Sequence, residues 1–335
     1  VARAARLALP AMLNLLLGLG VLLLALAALV VGPVSIPPGE VIAGLLDPAS
    51  PVGIVVTEIR LPRVLLAILV GATLSLSGAA LQGLLRNPLA EPAVLGTSGF
   101  AALGAVIALY FGLAELSAVA QPAAAVAGAL LGFLLLAGIA GRDASALTLI
   151  LTGVALSSLA GAGVALALNL SPNPFATLEI AFWLLGSLED RSFLHVSLVV
   201  APILVSWWLL LRAGPALQAL TLGPDVAATL GYPLAGSMRR IVAGVALGVG
   251  ASVAVTGLIG FLGLIVPHLI RPLVGHRPAA LLLPSAIAGA GLLLAADILV
   301  RLLPTEVEMK VGVVTSILGV PFFLLLVRRT RRRLV

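Results

Sequence analysis

Ten stretches of this chain stay apolar too long for a water-soluble fold. The first runs from Leu7 to Val31 without a charged residue. About 20 apolar residues suffice for a helix to cross the hydrocarbon of a bilayer. Comparable stretches follow at Leu61–Leu84, Ala93–Phe111, Val119–Ala140, Ala146–Leu168, Phe193–Leu211, Ile241–Leu258, Ala280–Leu303 and Val311–Val327, with a short, Pro-interrupted one, "GFLGLIVPHLIRPLVG", before the ninth. Only 10% of residues are charged and the mean hydropathy is +1.24. Soluble domains carry about 25% charged residues. In lipid every backbone polar group must be satisfied internally. The expectation is an all-α membrane protein of about ten transmembrane helices, forming one domain over residues 1–335.

Charge sets the orientation. Arg3, Arg6, Arg86, Arg142, Arg212, Arg239, Arg240, Arg271, Arg277 and the tail arginines 328, 329, 331, 332 and 333 fall on one side of the ten-span topology. Arg60, Arg63, Arg191, Arg301 and Lys310 fall on the other. Basic residues favour the cytoplasmic side, so both termini are expected inside. The acidic residues lean outward, with Glu40, Asp47, Glu58, Glu115, Glu179, Glu189, Asp190, Glu306 and Glu308 in outer segments. The basic tail reads as an anchor beside anionic lipid, not as a nucleic-acid site, because no soluble domain presents a groove.

Little catalytic chemistry is available. Cysteine is absent, and His195, His268 and His276 lie on separate segments away from metal-ligand spacing. No metal site is expected. Asp297 is the main ionisable residue within a span, and Arg301 lies four residues on, on the same helix face, so a structural ion pair is expected there. An ion-coupled secondary transporter would need an intramembrane relay and an internal inverted repeat, and neither is visible. There is no GxxxxGK[ST] loop, and Lys310 is the single lysine, so any ATP drive must enter from another protein. The inner segment 213–238 is the place for it to enter. There "LGPDVAATLGYP" reads as a short helix started by Pro224 and Asp225 and closed by Gly231.

Two long blocks carry a family resemblance. "LPRVLLAILVGATLSLSGAALQGLLRNPLAEPAVLGTSGFAALGA" and "GLIGFLGLIVPHLIRPLVGHRPAALLLPSAIAGAGLLLAADILVR" resemble the FecCD-type permease subunits of binding-protein-dependent ABC importers for ferric siderophores, haem and vitamin B12. The likeness continues through "LILTGVALSS", "LGPDVAATLGYP" and "VGVVTSILGVPFF". It implies a type II ABC importer permease in the bacterial inner membrane, with no catalytic residues or cofactor in this chain. It also implies a second copy of the chain, two ATPase subunits that bind ATP and Mg, and a periplasmic binding protein.

By the same resemblance, Arg60, Arg63 and Arg301 dock the binding protein. Pro224, Asp225, Ala228, Leu230 and Gly231 seat on the ATPase. Ser145, Ala146 and Leu147 form a cytoplasmic gate, and Thr152, Ser157 and Ser158 line the path. Lys310 stands where the family has proline, which adds an outer cation able to contact the binding protein. "FWLLGSLEDRS" is most similar to haem-type permeases, with Arg191 near the mouth where it could attract propionates. The expected cargo is therefore haem, with ferric siderophore and then vitamin B12 as alternatives.

Overall fold

The computed structural model describes residues 2–141, 145–171, 174–305 and 307–331. The Arg142–Asp143 turn, Glu306 and tail residues Arg332 and Arg333 lie outside them. Among the described residues every regular element is helical. Among those residues seven helices are long and apolar enough to cross a membrane. Shorter apolar helices at Thr97–Tyr110, Leu262–Val274 and Val311–Leu325 stand where the third, eighth and tenth spans are expected.

The first helix, α1 (Ala2–Val30), runs on the outside of the bundle, with Leu15, Leu19 and Leu23 exposed. It stops ahead of Gly32 and Pro33. A short α2 (Pro38–Leu46) begins with proline at its first position. The next helix, α3 (Pro51–Leu84), is the central strut. Its start is capped by Ser50, whose Oγ accepts from the Gly53 N–H at 3.0 Å, satisfying a donor left over at a helix N-terminus. This helix begins some ten residues before the expected second span and contains a widened π turn at Val55–Arg60. Such turns interrupt regular helical pairing and often mark functional sites.

The third span is shorter than expected. Pro92–Leu95 form a 3₁₀ turn, Gly96 reverses the chain at φ 79°, and only then does α4 (Thr97–Tyr110) begin. There follow α5 (Ala120–Ala140), α6 (Ala146–Asn169), α7 (Pro174–Leu184) and α8 (Phe193–Arg212). The short α7 ends at Leu184, and the residues between it and α8 form a loop. On the inner side α9 (Gly214–Leu220) and α10 (Pro224–Thr229) lead into α11 (Leu234–Thr256). A break at Gly257–Phe261 precedes α12 (Leu262–Ile270), which tightens into a 3₁₀ turn at Arg271–Val274. Two further helices, α13 (Pro278–Leu302) and α14 (Val311–Arg331), complete the chain.

The core lies around α3, which packs on α8, α11, α12 and α13. A second layer joins α4 to α5 and α6. Glycine permits the closest approaches: a Cβ at Gly71 would overlap the Gly289 carbonyl, and one at Gly78 the Gly263 carbonyl. In lipid, where apolar burial gives little drive between helices, close backbone packing of this kind holds a bundle together.

Candidate functional site

At the outer mouth the structure brings together the three arginines expected to dock a partner, and turns them inward. Arg63 donates its Nε to Asp297 Oδ1 at 2.9 Å and its Nη1 to Glu308 Oε2 at 3.2 Å. Arg301 pairs with the other oxygen of Asp297, as its four-residue spacing implies. Arg301 Nη1 also donates to the Ala28 carbonyl at 2.8 Å. Arg60 gives Nη1 to the carbonyls of Leu29 and Val30 at 2.6 and 2.8 Å, and Nη2 to Val34. The last carbonyls of a helix have no partner within it and carry partial negative charge, so two guanidinium groups cap α1. Arg60, Arg63 and Arg301 are only 5, 9 and 8% exposed. All three guanidinium groups are thus engaged within the chain. All three still edge an outward depression of about 500 Å³ that also holds Glu40. Its three cations are balanced in number by Glu40, Asp297 and Glu308.

The loop after α7 is tied to the start of α14. Lys310 pairs with Glu189, the Gly312 N–H donates to the Gly186 carbonyl at 3.1 Å, and the Ser187 N–H to the Thr256 carbonyl at 2.7 Å. The extra outer cation is thus occupied within the chain. Arg191, in the same loop, is partly buried with its Nε unpartnered. Burial pulls its pKa below the ordinary value, opposed by Asp190 and Glu189.

The residues assigned to the path lie on α6. Ser145 caps this helix, its Oγ accepting from the Thr148 N–H at 3.1 Å, and Leu147 is 64% exposed. Ala146 opens the helix. Thr152 is half-buried, and Ser157 donates to the Ala93 carbonyl at 3.3 Å. Ser157 also lines a cavity of about 290 Å³ with Glu91, Ser98, Val253 and Gly260. Glu91 accepts the Phe261 N–H at 2.6 Å, so the α3–α4 connection is latched to the α11–α12 break. Burial raises the Glu91 pKa, against the lowering effect of that hydrogen bond. Sequence reasoning missed this latch, although "EP" before a glycine turn and "GLIGF" each mark a helix break.

On the inner side α10 stands out from the bundle. Gly223 at φ 105° and Gly231 at φ 86° bracket it. Pro224, Asp225, Val226, Ala228, Leu230 and Gly231 are exposed, and Ala227 alone is buried. Leu222, Val226, Leu230 and Tyr232 present an apolar surface outside the bundle. Among the described residues no His, Asp or Glu cluster could hold a metal ion.

A helical membrane bundle with an outer charged mouth and a protruding cytoplasmic helix is the form of an importer permease. The chain belongs to the FecCD transport family, whose profile matches residues 20–329. It is a multi-pass permease subunit of an ABC importer in the bacterial inner membrane. It is 44% identical to the vitamin B12 import system permease BtuC of Vibrio cholerae, over 80% of this chain and 81% of that protein. Identity to BtuC of Klebsiella pneumoniae is 39%, over 95% and 94%. The ABC transporter permease YvrB of Bacillus subtilis is 41% identical over 83% and 80%. A solved structure described as an inward-facing ABC transporter of metal-chelate type superposes with TM-score 0.83, at 31% identity, covering 94% of this chain and 98% of that one.

Proposed function

We propose that two copies of this chain form the transmembrane pathway of an ATP-driven importer for a vitamin B12-type metal chelate. One observation carries the cargo: 39–44% identity to permeases named for vitamin B12 import, sustained along most of the chain. Energy enters at α10 and its C-cap, where exposed Val226 and Leu230 fit a groove on a separate ATPase that binds ATP and Mg. One chain carries one such helix, so two copies are needed to engage two ATPase subunits. The exposed apolar faces of α6 and α7, with Leu151, Leu159 and Phe175, serve the second copy or lipid.

The periplasmic binding protein docks over the depression edged by Arg60, Arg63 and Arg301. Its acidic side chains take over hydrogen bonds that these arginines now give to α1 and Glu308. Haem is the second reading, favoured by "FWLLGSLEDRS". Arg191, the residue meant to attract propionates, is partly buried, which weakens it. ATP-driven uptake into proteoliposomes, with the ATPase and binding protein present, tests the cargo. Cobalamin uptake supports the proposal. Uptake of haem or a ferric siderophore without cobalamin replaces the cargo and keeps the machine.

A further inference from the structure

On the inner face, where the end of α3 meets the 3₁₀ turn after α12 and the start of α13, lies a cavity of about 260 Å³. Gln82, Arg86, Thr221, Arg271 and His276 supply its polar lining, and among the described residues no carboxylate lines it. Nor does Arg86 or Arg271 have an ion-pair partner among those residues; the salt bridges there lie at the outer mouth and its adjoining loop. Gln82 is fixed because its Nε2 donates to the Gly263 carbonyl at 3.1 Å. Its Oε1 then faces Arg271, which donates through Nη2. Arg271 Nε is buried with no acceptor. A buried donor left unpaired is costly, so the site lacks an oxygen acceptor. Arg86 and His276, at the rim, hold positive φ of 50° and 60°. Side chains other than glycine avoid that region, and such residues cluster at ligand clamps.

We propose that this cavity is a binding site for a phosphate group. Guanidinium groups match phosphate oxygens through paired N–H donors. Basic pockets between helices on the cytoplasmic side suit anionic lipid headgroups, and a free phosphate ion offers the same chemistry. The ligand would satisfy Arg271 and neutralise a cationic cluster that the protein leaves unpaired beside the ATPase-facing segment.

The test uses the full-length chain in dodecyl maltoside, whose headgroup carries no phosphate, alone, with added phosphatidylglycerol, and with added inorganic phosphate. The comparison is the double variant Arg86→Asn, His276→Asn. Asparagine tolerates positive φ, so the backbone is kept. The wild type should gain about 3 °C in thermal midpoint in at least one anionic arm, and the variant should lose most of that gain. A gain with phosphatidylglycerol, accompanied by one lipid fewer retained by the variant in native mass spectra, identifies a headgroup. A gain with inorganic phosphate identifies a free anion. Equal gains in wild type and variant, or no gain in either arm, overturn the proposal.

Discussion

Arg63 and Asp297 meet at 2.9 Å across 234 residues of chain. That contact makes the outer mouth one structural unit: α3 supplies the cation, α13 supplies the fully buried carboxylate, and Arg301 shares the carboxylate while capping α1. Removing one partner of a buried ion network leaves uncompensated charge, at a cost of about 3–5 kcal/mol. Asp297→Asn should therefore lower the thermal midpoint in detergent far more than substitution of the exposed Glu58. Equal midpoints for the two variants would show that the network contributes little.

The same cluster gives a separate prediction for docking. Glu308 neutralises part of Arg63 from a partly exposed position. Glu308→Gln should leave the mouth with one cation in excess and release Arg63. Association with an acidic-lobed binding protein should then quicken by roughly tenfold at low salt and less at physiological salt. Stopped-flow association at two ionic strengths measures it. Slower or unchanged association would place docking elsewhere on the mouth.

Much of this architecture was legible in the sequence. Hydropathy places the spans because lipid forces each crossing to satisfy its own backbone, and the Asp297–Arg301 pair follows from helical spacing. Chain order carries no sign of Arg63 meeting Glu308, or of Arg60 meeting the end of α1. Those contacts depend on how helices far apart in sequence lie together. The cut in the third span was half visible: Pro92 and Gly96 are breakers, but the apolar run continues through them. The arginines' inward turn was not visible at all, because the same residue types serve equally for docking and for capping.

Gly78 lets α3 touch the backbone at the start of α12. Gly78→Ala places a methyl group on the Gly263 carbonyl and must push the helices apart, at a cost of about 1–3 kcal/mol. Gly18 is the control: nothing lies within 4 Å of the point where an added methyl group would stand. Alanine there should be neutral or mildly stabilising. Paired thermal unfolding checks both. A Gly78 variant as stable as the Gly18 variant would mean that the contact relaxes at no cost.

The protruding α10 allows coupling to be tested apart from folding. Val226 and Leu230 are exposed, so Val226→Asp with Leu230→Asp should leave the thermal midpoint nearly unchanged. If these residues anchor the ATPase, the pair should cost at least about 2 kcal/mol of association, roughly thirtyfold in affinity. Co-purification and ATP-driven uptake should fall together. Retained uptake would remove α10 from the coupling path.

Glu91 gives the pH prediction. Its folded pKa is raised by burial, so the folded state binds this proton more tightly than the unfolded chain does. The stabilisation is fully present below the unfolded carboxyl value and is lost as pH rises through the folded one. Glu91→Gln removes the ionisation but keeps an oxygen to accept the Phe261 N–H, now at 2.6 Å. The variant should match the wild type in acid and exceed it in stability at neutral pH, with a flatter profile between. Thermal midpoints across that range decide it. A Gln variant less stable at neutral pH would show that the charged carboxylate strengthens the latch by more than its burial costs.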